Sequence, residues 1–103
     1  MSSVTINRQV LQTISSATQS STYKYRKRKG HDIIACSVAE SGGGAFTSTL
    51  VLECATPGTT NWVTVPDGTF TNTEGSFTFV PGGDMDIRWN CTAYTDPVVV
   101  RIG

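Results

Sequence analysis

The chain reads as an all-β domain, an antiparallel β-sandwich of immunoglobulin-like or jelly-roll type with about seven or eight short strands. Three observations predict it. Apolar residues alternate with polar ones over several short runs, the period of a strand with one buried and one wet face. Turn signals rich in Gly and Pro separate those runs at strand-length spacing. Ten Gly, four Pro and an abundance of Thr and Ser, with only two Met, favour strands and turns over helices. At 103 residues this is enough for one core and not for a second lobe.

The most regular run is Asp84 to Tyr94. Met85, Ile87, Trp89, Cys91 and Ala93 occupy one face and Asp84, Asp86, Arg88, Asn90 and Thr92 the other. Ala45 to Cys54 follows the same rule, with Phe46, Leu50, Leu52 and Cys54 inward and Val51 interrupting the polar face. Ile33 to Val38 is apolar on both faces, as expected of a central strand. Phe77 and Phe79 mark a short strand, Trp62 to Val65 another, and Val98 to Ile102 closes the chain. Tyr23 and Tyr25 alternate with Lys24 and Arg26, a strand running into basic residues. The connections are Ser41 to Gly44, Pro57-Gly58, Asp67-Gly68 and Pro81-Gly82-Gly83. Before Tyr23 the pattern weakens. Val4 and Ile6 alternate, Val10, Leu11 and Ile14 fit a helical face, and Ser15 to Thr22 reads as a loop. We therefore expect residues 1–22 to be an arm or edge strand and residues 23–103 to be the sandwich.

Charge is divided along the chain. Six of the eight Lys and Arg residues precede Asp32 and no acid does, so a +6 segment is followed by a −6 body. Opposite ends of such a chain attract different partners or each other. Lys24, Arg26, Lys27, Arg28 and Lys29 form the dense cluster, a candidate partner-binding site. With Tyr23 and Tyr25 it could neutralise phosphates and stack on bases. It could equally be a solvated strand end that complements the acidic body, or a patch that docks on an acidic protein.

Catalytic chemistry finds little to work with. His31 is the only histidine, so neither a triad nor a multi-histidine metal site follows. Cys36, Cys54 and Cys91 lack the spacing of a zinc site, and their odd number suits free thiols, although a Cys54–Cys91 bridge between sheets is conceivable. Asp84 and Asp86 share a strand face without a calcium-loop pattern, and Ser41 to Gly44 lacks the Lys of a phosphate loop. No catalytic, metal or cofactor-binding residues are expected, and no enzyme. No run approaches the roughly 18 apolar residues of a membrane span, and the N-terminus lacks a secretory pattern, so we expect a protein made in the cytosol. Trp62, Trp89 and Tyr94 raise the alternative of a carbohydrate-binding module. Alternation puts Trp89 in the core and leaves Trp62 and Tyr94 as candidate aromatic contacts.

The order of segments resembles that of small accessory proteins of tailed-bacteriophage virions. The residues that carry the likeness are Thr49-Leu50-Val51-Leu52-Glu53, the turn from Pro57 to Asn61 leading into Trp62-Val63, the span from Phe70 to Phe79, and Asp86-Ile87-Arg88-Trp89. It covers roughly residues 23–102 as a pattern of strands and turns. Many members carry Asp-Gly or Gly-Gly before the Asn-Trp, where this chain has Pro57-Gly58-Thr59-Thr60. The resemblance implies a non-enzymatic sandwich that decorates a capsid or joins head and tail. It further implies a homo-oligomer bound to capsid or other virion protein and located in the virion.

Overall fold

A computed structural model describes residues 9–26, 33–40, 47–71, 75–81 and 83–103. Eight strands follow one another: β1 (Val10–Ile14), β2 (Tyr23–Tyr25), β3 (Ile34–Glu40), β4 (Thr49–Ala55), β5 (Val63–Thr71), β6 (Gly75–Phe79), β7 (Met85–Ala93) and β8 (Val98–Ile102). They form two antiparallel four-stranded sheets, ordered β1-β8-β3-β6 and β2-β7-β4-β5. First pairs with eighth, second with seventh, third with sixth and fourth with fifth. That is one long antiparallel ribbon wound into a sandwich, the jelly roll. Of the two expected architectures, this order selects the jelly roll over the immunoglobulin arrangement.

Alternation builds the core. Ile87, Trp89 and Cys91 of β7, Leu50 and Leu52 of β4, Ile34, Cys36 and Val38 of β3, and Val98, Val100 and Ile102 of β8 are buried between the sheets. The β3 expectation needs correcting. Ala35 and Ile33 are exposed, so β3 has one buried face and not two, although it lies inside its sheet.

Of the N-terminal readings, the described residues form an edge strand. Val10 to Ile14 form no helix. They pair with β8 from Val10↔Ile102 to Ile14↔Val98, burying Val10 and Ile14. Gln12 shares their side and accepts the Ser21 N–H at 2.8 Å, which explains a polar residue in that row. Nor is the run before Tyr23 a plain loop. The Ser20 N–H donates to the Trp89 carbonyl and the Cys91 N–H to that of Thr18, both at 2.9 Å, while the Ser20 hydroxyl accepts the Trp89 N–H at 3.0 Å. This segment therefore extends the cover that β2 gives to β7. Val4 and Ile6 lie outside the described residues.

Two turn expectations diverge. Thr56-Pro57-Gly58-Thr59 is a type II turn, closed by Thr59 N–H to Thr56 C=O at 3.0 Å with Gly58 at φ 78°, the third-position glycine such a turn requires. Asp67-Gly68 is no turn. It lies inside β5, where the pairing with β4 slips between Val51 and Glu53 and Asp67 takes φ 64°. This is a β-bulge, and it lets the strand continue past Pro66.

The β7–β8 connection is held by side chains. The fully buried Ser48 hydroxyl accepts the N–H groups of Thr95 and Asp96 at 2.9 and 3.1 Å and faces the Asp96 carbonyl and carboxylate as donor. The Asp96 carboxylate also accepts the Thr47 N–H and the Thr95 hydroxyl, and the hydroxyls of Thr47 and Thr95 are in contact. Desolvation pushes the Asp96 carboxyl up, but these hydrogen bonds outweigh it and hold the group below the usual carboxylate range.

Two predictions follow from this packing. A Cβ on Gly68 would sit 2.8 Å from the Val65 carbonyl and 3.0 Å from the Leu52 Cβ, so Gly68→Ala should lose about 1–3 kcal/mol in urea unfolding. Asp96, with its lowered folded pKa, adds stability that is complete above its unfolded pKa of about 4 and fades as pH falls through the lower folded value. Asp96→Asn should flatten that part of the acid-unfolding curve, and an unchanged curve would contradict the assignment.

Candidate functional site: the two outer faces of the sandwich

The two sheets turn different chemistry outward. On β2-β7-β4-β5 the outward positions of β7 alternate with its core residues and carry Asp86, Arg88 and Asn90. Arg88 faces Glu53 of β4 in register and donates to its carboxylate from Nε at 2.9 Å. The other Glu53 oxygen accepts the Asn90 amide at 3.3 Å, and the Asn90 oxygen accepts the Gln19 amide at 3.2 Å. The Arg88 guanidinium lies 4.1 Å from the Trp62 ring centroid, a cation–π stack. A row from Gln19 to Trp62 thus crosses this face with its charges paired. Arg26 sits 3.3 Å from Asp86, whose second oxygen accepts the Gly58 N–H at 3.2 Å, so this pair also anchors the Pro57-Gly58 turn.

The outer face of β1-β8-β3-β6 is different. Its outward positions are Leu11 and Thr13 of β1, Val99 and Arg101 of β8, Ala35, Ser37 and Ala39 of β3, and Ser76 and Thr78 of β6. Ile33 precedes β3 and Val80 follows β6, so extending the register one step beyond Ile34↔Phe79 would set them opposite each other on the same side. Leu11, Ile33 and Val80 are 65%, 66% and 62% exposed, three of the four large apolar side chains exposed among the described residues. Arg101 is the only charged side chain on this face among the described residues.

Several sequence expectations meet this geometry. In the basic cluster, Lys24 is exposed, in register with Asp86, and Arg26 is paired with that same acid. Lys27, Arg28, Lys29 and His31 lie outside the described residues, as do residues 41–46. Tyr23 and Tyr25 are buried in the core, so neither offers a ring face to a base. A strand beside a sandwich core must turn alternate residues inward, and here those residues are the tyrosines. Trp89 is in the core as expected. Trp62 and Tyr94 do not make one platform. Trp62 stacks on Arg88, whereas Tyr94 lies six residues farther along the chain, roughly 20 Å at strand rise. Asp84 is exposed and Asp86 buried, so the two do not act alike.

All three cysteines are free. Cys54 and Cys91 belong to the same sheet, not opposite ones. Cys54 pairs with Ile87 and Cys91 with Leu50, four residues apart on each strand, about 13 Å and beyond the reach of a disulfide. Burial pushes the Cys36 thiol up to about 12 and raises Cys54 and Cys91 as well. Cys54 is half-buried and lines a cleft of about 290 Å³ with Ala55, Val63 and Met85, rimmed by Asn61 and Asp84. Among the described residues no three His, Cys, Asp or Glu side chains converge on a metal position, and no helix is long and apolar enough to cross a membrane.

No protein-family model matches the chain, and no curated protein or solved structure matches it significantly.

The sequence does not reveal the apolar face, because its large members are scattered through the chain. Its trace is an apolar residue at an outward position of a strand or just beyond its end. Thiol labelling tests the arrangement of cysteines. In the folded protein at mildly alkaline pH, Cys54 should react first and more slowly than a free cysteine, with Cys36 and Cys91 reacting only after denaturant is added. Three equally fast thiols would contradict these placements.

Proposed function

We propose that the chain is a non-enzymatic structural protein of a bacteriophage particle, a capsid decoration or head–tail accessory that works by protein–protein contact. The observation that carries the contact half of this reading is the outer face of β1-β8-β3-β6. Three exposed large apolar side chains share it with a single described charge, Arg101. Single exposed apolar residues need no explanation on a soluble protein, but three outward on one sheet face with little charge among them give a partner several anchors. On the opposite face the Arg88–Glu53 and Arg26–Asp86 pairs satisfy each other and have less left to offer a partner. The particle half rests on the resemblance in segment order from Tyr23 to Ile102, together with a sandwich whose ribbon leaves both outer faces for contact. The occupant of the apolar face is then another virion protein that presents apolar surface.

The test is direct. Particles made by cells that encode this chain are banded by density, and the chain is quantified by mass spectrometry against the major capsid protein. We expect a fixed copy ratio, with Ile33→Asp/Val80→Asp reducing incorporation at least tenfold while circular dichroism stays that of the wild type. A chain absent from banded particles, or incorporation indifferent to the double substitution, would overturn the proposal.

A further inference from the structure

We propose that β1 is a self-association edge, where a second copy of this chain adds its own β1 in antiparallel register and joins two four-stranded sheets into one of eight. Every open sheet edge presents unpaired N–H and C=O groups, and soluble proteins guard such edges with charge, proline, bulges or short length. The two edges of β2-β7-β4-β5 are guarded. β2 is three residues long and carries Lys24, and β5 contains Pro66 and the bulge at Asp67. Among the described residues, the two edges of β1-β8-β3-β6 carry no such guard. β1 reads Val-Leu-Gln-Thr-Ile and β6 Gly-Ser-Phe-Thr-Phe, each five residues with no charge and no proline.

Between the two unguarded edges, β1 gives a partner more to bury. Its outward Leu11 is 65% exposed, whereas the outward residues of β6 are Ser76 and Thr78. The strand is also self-complementary. With a two-fold axis at Gln12, Leu11 of one copy lies opposite Thr13 of the other, and the two leucines are diagonal neighbours within side-chain reach. Edge pairing sets the two outer faces side by side and holds the two Arg101 positions three strand spacings apart, about 14 Å. A five-residue pairing buries much less than the roughly 1,200 Å² of a stable interface, so the dimer is weak in solution and gains from many copies on one surface.

The inference rests on reading this side of the sandwich as the assembling one, yet it is tested on the purified chain alone. Sedimentation from micromolar to millimolar concentration, with reductant, should show a monomer giving way to a dimer. Leu11→Lys should shift that transition at least tenfold upward in concentration, and Ser76→Lys should leave it unmoved. Circular dichroism checks that each variant is folded, as expected at exposed positions. Mixing Leu11→Cys with Thr13→Cys proteins and oxidising them should give a covalent dimer of one of each. A monomer throughout, a dimer unaffected by Leu11→Lys, or one lost only with Ser76→Lys would overturn the assignment to β1. Incorporation into particles with no self-association would sink this inference and leave the docking face standing. The reverse outcome would sink the docking face alone.

Discussion

The indole of Trp89 is the point on which the two sheets depend. It is fully buried, its Nε1 donates to the Arg101 carbonyl of the opposite sheet at 3.1 Å, and Phe70 meets it edge-on with centroids 5.7 Å apart. Burying so large a ring contributes more than any other side chain here, and removing one of its kind from a core costs about 3–5 kcal/mol. The Arg88–Glu53 pair on the strand's other face is partly exposed, and such pairs contribute at most about 1 kcal/mol. Packing therefore holds the sandwich together, and the outer charges fix only local detail. The Trp89 backbone is tied as well, through both the N–H and the hydroxyl of Ser20. One residue thus gathers the β1–β2 connection, both sheets and β5.

The ribbon topology spreads that dependence along the chain. Among the described residues β1 pairs only with β8, so the first described strand is secured by the last. Chain closure over this length is entropically costly and is repaid only when both ends dock. Residues 10–14 are consequently an edge strand whose inward Val10 and Ile14 belong to the core. Removing everything before Tyr23 would expose Val98, Val100 and Ile102, and the Ser20 bonds to Trp89 would go with it.

Legibility in the sequence followed the strength of alternation. β7 and β4 could be read because a long hydrophobic stripe leaves only one register that buries it. β1 could not, because Val10, Leu11 and Ile14 match a helical face as well as a strand, and Gln12 stands in the inward row where an apolar residue is expected. β5 was half-hidden because Pro66-Asp67-Gly68 has the chemistry of a turn, and only pairing with β4 makes it a bulge. At the surface, the basic cluster stood out as composition, but which residues it shares a face with is set by pairing. Register places Lys24 opposite Asp86 and sends the tyrosines inward. The apolar face was illegible for a related reason. Leu11, Ile33 and Val80 come to share one sheet face only through pairings between distant strands.

The two outer faces have opposite costs. A cross-linked polar face keeps water and its own partners, and ordering Arg88 against both Glu53 and Trp62 leaves it little to gain from a ligand. The other face holds its large apolar groups apart, with Leu11 on one edge strand and the Ile33–Val80 pair beyond the far ends of β3 and β6, separated by Ala, Ser and Thr. Spacing of this kind keeps each apolar patch small. Small residues between the anchors also let a flat partner approach closely. An extended sheet face of this kind suits many weak copies on a fixed surface better than one tight complex in solution, because each added contact is made at high local concentration.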